Sequence, residues 1–520
     1  MRTIITFIFV LAFCSSLQAQ KRSYLDIIKS LASAENLELS YSPELVNLSE
    51  TTSFRFSENP DTCLTELENR ANIRISKTES HLIIVPAPPA IIELRGIVTD
   101  AQSGETLPYA HLLLKKTGSG TISNSQGVFS FKISGKYAGE AISFSFLGYE
   151  NTTLLVPYKD NDSLRVKMQP KPYNLADVYV LPNGNAAVDI VKRAVKNIKR
   201  NYHRTPAQIE MFYRNTNFRD SVASQLIEAV LLVEDKGVTK PYSTTKVELK
   251  EARKSTNYLI PLSERWKKGR KAMEKMFGGH RNMFHRAVAS NMVRQYKTDW
   301  WYRPLTDYET FKYEFEGFEW MDSVKVYKIK FIYDELWPNG KRASESKNME
   351  DAGFIYINSE DWGILRIEKY WKFLGEKAKK WKEPGDFFTK SEIDYQKING
   401  KYYLKYYKAL SSPNGAYYVY ENPDAPDKEK KIKSRQWAEE TLLVTQVTTN
   451  RKQFDKIKYR EKLAKDENSY EVNYPYNAEF WKSYSVLKEN PVEERFIEEM
   501  EWEKSMDVQF EENSTNAENN

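Results

Sequence analysis

The sequence predicts a multidomain α+β protein: a small α/β unit, a β-sandwich, and a large antiparallel β-rich domain with covering helices. Three observations predict it. Residues 22–87 mix helical spacing with short strands. Residues 93–133 alternate with a period of two and are broken by Gly, Pro and Asn turns. From Phe311 onward, long alternating runs rich in Tyr and Trp dominate. A length of 520 residues allows about three domains at roughly 150 residues each. The 77 basic and 71 acidic residues nearly balance, and a net charge of +6 argues against dedicated nucleic-acid binding.

The first element reads as a secretory leader. Arg2 supplies the charge, Ile4 to Leu11 continuing through Phe13 is the apolar run, and Leu17-Gln18-Ala19 resembles a cleavage site, with cutting expected after Ala19. The run is shorter than the roughly 20 residues a spanning helix needs. Cys14 invites a lipoprotein reading, but Phe13 stands where lipoprotein processing favours a small residue. Cleavage over residues 1–19 would leave Cys63 as the remaining cysteine and no intramolecular disulfide. Export to the periplasm or outer membrane follows, with no transmembrane segment after leader removal.

In the unit 22–87, Tyr24, Ile27, Ile28, Leu31 and Ala32 fall at helical spacing, as do Cys63, Leu64, Leu67 and Ala71. Leu37–Tyr41, Thr51–Phe56, Ile73–Ser76 and Leu82–Val85 read as strands. Cys63 reads as a small buried apolar residue. The order α-β-β-α-β-β, with the phrase ANIRISKTESHLIIVP, resembles the STN domain of secretins and TonB-dependent receptors. That resemblance implies a periplasmic unit that meets signalling or assembly partners. Pro86, Pro88 and Pro89 form a stiff linker.

The sandwich, residues 92–170, follows. Arg95, Ile97 and Thr99 alternate with Leu94, Gly96 and Val98. Strands are expected at Tyr109–Lys116, Val128–Ile133, Ile142–Phe146 and Leu164–Met168, with turns at Thr117–Gly120 and Ser123–Gly127. The motif runs Gly96, Val98, Asp100, Gly104, Leu107, Pro108 and Ala110, then Gly120, Thr121, Ser123, Asn124, Gly127 and Phe129. It resembles the carboxypeptidase-like regulatory, transthyretin-like domain common in Bacteroidetes envelope proteins. That domain is accessory to zinc carboxypeptidases and implies no peptidase activity. Asn174–Val180 resembles the strand that joins this sandwich to the plug of TonB-dependent receptors, but neither a plug nor the repeated segments of a large barrel follow.

Residues 183–500 form the third expected domain. Ala187, Ile190, Val191, Ala194, Val195 and Ile198 make one helical face, and Lys192, Arg193, Lys196, Lys199 and Arg200 the other. The basic face suggests a phosphate or lipid-headgroup site; its plainer reading is a solvated surface. Strands are expected at Ile209–Phe218, Ser224–Glu234 and Thr244–Glu251. His280 and His285 are five apart, a poor spacing for a shared metal, and no zinc motif is present. Eight further strands are expected between Tyr313 and Thr449, and Gly353–Glu368 reads as a hairpin. The pattern resembles the open half-barrels of periplasmic lipid and lipoprotein carriers, which implies a concave apolar face under a helix. Trp300, Trp301, Tyr302, Trp337, Trp362 and Trp371 are the candidate ligand-binding residues. A disordered tail is expected over 505–520.

No nucleophile elbow, P-loop or dinucleotide fingerprint appears, so neither a catalytic residue nor a cofactor is assigned. The expected function is non-enzymatic binding of an envelope protein or an apolar, lipid-like or glycan ligand. A hydrolase acting on glycans or peptides and an outer-membrane assembly factor are the alternatives.

Overall fold

The structure, a computed structural model, describes residues 22–44, 46–52, 60–171, 186–219, 222–256, 283–296, 304–321, 324–335, 342–347, 349–374, 387–411, 417–420, 431–434, 436–457, 474–484, 497–498, 500–501 and 504–515. These form two compact units. One holds the described residues up to 94, with 132–140 and 155–162; the other holds 95–131, 141–154 and the described residues from 163 onward.

The first unit begins with strand β1 (Arg22–Ser23) and helix α1 (Tyr24–Ala34). Ser23 caps the helix, its hydroxyl oxygen accepting the Asp26 N–H at 3.1 Å. Strands β2 (Glu38–Tyr41) and β3 (Thr51–Thr52), helix α2 (Pro60–Ala71), and strands β4 (Ile73–Lys77) and β5 (His81–Pro86) follow. Strand β5 lies between β2, its parallel partner, and β4, its antiparallel one. Ile27, Ile28, Cys63, Leu67, Leu82 and Ile84 close the core. Cys63 is buried there, as its apolar surroundings in the sequence suggest.

Seven strands build the sandwich: β6 (Ile91–Asp100), β7 (His111–Leu114), β8 (Ser119–Ile122), β9 (Val128–Ser134), β10 (Ala141–Ser145), β11 (Thr152–Leu155) and β12 (Asn161–Met168). They lie in two sheets, ordered β11-β10-β7-β8 and β12-β6-β9. The motif residues serve turns and core. Asn124 Oδ1 accepts the Gln126 and Val128 N–H groups, and Ser123 Oγ links Ala110 to Leu107. Gly127 has φ 76°, which a β-carbon would strain. Two strands were not expected. The reversal sits at Lys115–Gly118, so Ser119–Ile122, whose first two residues the sequence places in the Thr117–Gly120 turn, pairs with β7. Thr152–Leu155 is the other.

The second unit then continues with helix α3 (Ala186–Asn201) and strands β13 (Ala207–Arg219), β14 (Val222–Asp235) and β15 (Lys246–Lys254). Two short helices, α4 (Met283–Ala289) and α5 (Met292–Gln295), precede β16 (Phe311–Met321), β17 (Val324–Tyr333), β18 (Met349–Asn358), β19 (Ile364–Phe373), β20 (Phe387–Ile398) and β21 (Lys401–Ser411). A small hairpin of β22 (Tyr417–Tyr420) and β23 (Lys431–Ser434) leads to β24 (Gln436–Thr448), and helices α6 (Ala478–Ser483) and α7 (Met506–Thr515) follow.

Ten of these strands form one antiparallel sheet, ordered β15-β14-β13-β24-β21-β20-β19-β18-β17-β16. All ten contribute to a single core that also holds Ile190, Val191, Ala194 and Ile198 of α3 and Phe284 of α4. A flat ten-stranded sheet would be about 43 Å wide at ~4.8 Å per strand. A helix with its side chains is only about 10–12 Å across, so the strands share this core by curving around it. Bulges supply the bends: register shifts occur in seven of the nine pairings.

The opposite face is covered too. Phe212, Val230, Tyr406 and Leu443 pack against Ile122 of the sandwich and Trp481 of α6. Phe218 and Leu226 pack against Met506 and Phe510. The expectation of a disordered tail over 505–520 is therefore corrected for Met506–Thr515. That segment is helical because Met506 and Phe510 bury against the sheet and the fully buried Gln509 side chain donates to the Met500 and Lys504 carbonyls. Residues 516–520 lie outside the described residues.

Gly353 sits mid-sheet, where a β-carbon would overlap the Glu368 carbonyl and the Phe331 ring. Gly353→Ala is expected to cost about 3 kcal/mol, read as a lower urea midpoint at unchanged slope.

Candidate binding surface

The turn from β18 to β19 is a closed set of hydrogen bonds. The Asn358 N–H donates to the Gly363 carbonyl (2.8 Å), and the Trp362 N–H donates to the Asn358 carbonyl (3.0 Å). Asn358 Oδ1 accepts the Glu360 N–H (2.9 Å), and Asp361 Oδ1 accepts the Gly363 N–H (2.8 Å). These bonds hold Trp362 at φ 66°. For so bulky a residue this left-handed conformation is an outlier, costing about 1–3 kcal/mol; Gly or Asn would be the easy occupant. The indole has two close partners. Tyr327 stacks on it, with centroids 5.5 Å apart and planes 14° apart, and the Arg193 guanidinium stands 5.3 Å from its centroid. Trp362 is nevertheless partly exposed.

The same turn anchors α3. The Asp361 carbonyl accepts from Asn201 Nδ2 (2.7 Å), and the Tyr202 hydroxyl donates to the Ile364 carbonyl (2.6 Å). The Asp361 carboxylate accepts from Lys397 Nζ (2.7 Å) and the Tyr402 hydroxyl (3.1 Å). Burial, with Tyr395 and Tyr402 close by, pushes the Tyr202 hydroxyl well above its usual value, so it stays a neutral donor. With its apolar side committed to the core, α3 presents Lys192, Arg193, Lys196, Lys199 and Arg200 as exposed residues. Lys192 lies over the Tyr308 ring at 5.2 Å. Among the described residues none of these five cations forms an ion pair. The predicted basic face is thus a real feature of the folded surface, next to one of the predicted tryptophans.

Of the other candidates, Trp371 lies near the far end of β19, opposite Asp351 and Thr389. Nine residues of extended chain, about 30 Å, separate it from Trp362, so the fold does not bring the two together. Trp300, Trp301, Tyr302 and Trp337 lie outside the described residues, as do Ala19, His280 and Asn174–Val180. Arg193, Tyr327, Asp361, Lys397 and Tyr402 were not singled out as partners of Trp362. Only the turn reading of Gly353–Glu368 and the amphipathic pattern of α3 pointed toward them.

Two buried polar clusters were also legible only after folding. His111 on β7 meets Asp394 on β20 (Nε2 to Oδ2, 3.0 Å), and Arg366 on β19 donates to both Asp394 oxygens at 2.6 and 2.7 Å. Burial alone would push the Asp394 carboxyl up. Arg366 and the His111 hydrogen bond more than offset it and hold the carboxyl well below the usual range. At the β13–β15 end, a cleft is lined by His203, Asp235, Tyr242, Asn291 and Arg294. Its opening suits a water rather than an acyl chain. Asp235 is held there by Arg294, which also donates to Thr245 Oγ1 at 3.0 Å. In both clusters the charged groups face one another.

A family model described as the CarboxypepD_reg-like domain matches residues 94–180. The expected carboxypeptidase-regulatory-like domain is supported over that stretch. No curated protein matches the chain. Among solved structures, the chain is similar to a LolA superfamily protein of Nitrosomonas europaea at 12% identity and TM-score 0.20, over 52% of this chain and 97% of that one. It is similar to a Vibrio parahaemolyticus protein named as an outer membrane lipoprotein-sorting domain at 10% identity and TM-score 0.21, over 52% and 95%. The third is the Mycobacterium tuberculosis lipoprotein LppX, at 9% identity and TM-score 0.16, over 36% and 88%. TM-scores of this size do not establish a shared fold.

Because the Asp394 carboxyl is depressed on folding, its contribution is full above the unfolded value of about 4 and is lost as pH falls toward the folded value. Asp394→Asn is expected to cost about 3 kcal/mol at pH 7. Chemical denaturation across pH should show the gap to the parent protein narrowing below pH ~4.

Proposed function

We propose that the chain is an exported, non-enzymatic protein of the cell envelope, periplasmic or at the outer membrane. It holds a protein partner or an apolar, lipid-like ligand by the rim around Trp362. The observation that carries this reading is the backbone of Trp362. A bulky residue persists in a left-handed conformation only where its surroundings over-determine it, and such strain gathers at working sites. Here a glycine would remove the strain, yet an indole is present, partly exposed and flanked by a cation.

Other observations support the placement. The leader-like residues 1–19 favour export. The CarboxypepD_reg-like match favours an accessory rather than a catalytic front. The first unit, with its mixed β2-β5-β4 sheet under two helices, is read as an STN-like module that offers contacts to envelope partners. Among the described residues no helix is long and apolar enough to cross a membrane. The hydrolase alternative is less supported, since the carboxylates of both buried clusters are taken up by Arg and His neighbours.

Trp362→Gly separates a binding role from a purely structural one. The substitution releases about 1–3 kcal/mol of backbone strain but also removes the indole's stacking and its packing against the core, so the variant should melt lower yet cooperatively, and capture is compared well below its midpoint. Capture of protein and lipid from envelope extracts, read by mass spectrometry, should fall at least about tenfold for the bound species. Undiminished capture by the variant would remove the reading.

A further inference from the structure

We infer that the exposed face of α3 docks on an anionic membrane surface, with lipid phosphate headgroups meeting Lys192, Arg193, Lys196, Lys199 and Arg200. The inference rests on the Trp362 reading and deepens it by naming what the rim meets. At 100° per residue the five cations fall within an arc of about 120°, and from Lys192 to Arg200 they extend about 12 Å along the axis. The exposed acid on the helix is Asp189, in its first turn. The C-terminal helix dipole accounts for Lys199 and Arg200 in the last turn. It does not account for Lys192, Arg193 and Lys196, which stand nearer the middle.

The buried side of α3 is occupied by the core of the sheet, so the cationic side is the one left for a partner. Lys401 reinforces it, its ammonium donating to the Arg200 carbonyl at 2.6 Å. A convex helix surface whose five cations form no ion pair among the described residues suits a plane of negative charge better than a shaped pocket does. Two aromatic rings stand at its border, Tyr308 beneath Lys192 and Trp362 beneath Arg193. Tyr and Trp beside Lys and Arg is the composition favoured at the headgroup level of a bilayer, where the rings sit among carbonyls and the cations reach phosphate. Each cation near such a surface adds about a fivefold preference for it, and salt screens the effect.

The test uses the full protein with vesicles of phosphatidylcholine, alone or mixed with phosphatidylglycerol. The protein should sediment with the mixed vesicles, not with phosphatidylcholine alone, and should be released by high salt. The triple variant Lys196→Glu, Lys199→Glu, Arg200→Glu removes three cations whose side chains the core does not use. It should lose at least about tenfold in vesicle affinity at an unchanged melting temperature, and the corresponding arginine variant at Lys196 and Lys199 should bind as the parent does. Failure of the parent to sediment with anionic vesicles overturns the inference, as does wild-type sedimentation of the glutamate variant. Should the parent ignore vesicles yet capture an envelope protein that Trp362→Gly loses, the surface serves a protein, and only the lipid assignment falls.

Discussion

The late strand β24 is the constraint on which the large domain depends. Strands β13 to β15 form one meander and β16 to β21 another, and among the described residues β24 joins them in the hydrogen-bonded order of the sheet. It pairs with β13 from Gln208–Thr448 to Arg219–Gln436 and with β21 from Tyr406–Leu443 to Ser411–Ala438. Its side chains serve both faces, Leu442 and Val444 toward the α3 core and Leu443 toward the sandwich and α6. Without it each meander would present an unpaired central edge, and the two halves of the core would separate. The pairing is also costly to form, since more than two hundred residues must close before it repays its entropy.

Helix α3 translates that core into a surface. Its apolar side packs into the core it shares with the sheet, against β16 and β17, and its end is tied to the β18–β19 and β20–β21 turns through Asn201, Tyr202 and Lys401. The side chains of the remaining face are thus presented in fixed register to Trp362 and Tyr308. A rigid element of regular structure, rather than a loop, carries the cations, which favours a definite geometry of docking.

The sandwich is joined to the sheet by more than a linker. Ile122 enters the apolar cluster on the sheet, and His111 meets Asp394 within the charged ladder of Arg366 and Glu392. Buried charges of this kind add little net stability but are expensive to unbalance. They set which part of the sandwich faces which strands.

Local chemistry determined much of this protein before any folding was considered. The period of two in β6 and β9, the apolar stripe of α3, and the turn residues Asn124 and Gly127 all act over a few residues, so they were legible in the sequence. The carboxypeptidase-regulatory-like motif was legible for the same reason, its residues being turn and core positions. Ser119–Ile122 and Thr152–Leu155 are too short to show a period, and α7 is so polar overall that only its burial against Phe218 reveals it. The candidate surface was half visible: the basic stripe and Trp362 could be named, but not their contact. Tertiary structure alone decided that contact and the place of β24. Each rests on pairings between residues far apart in the chain, whose energies depend on who arrives opposite whom and not on what either residue prefers by itself.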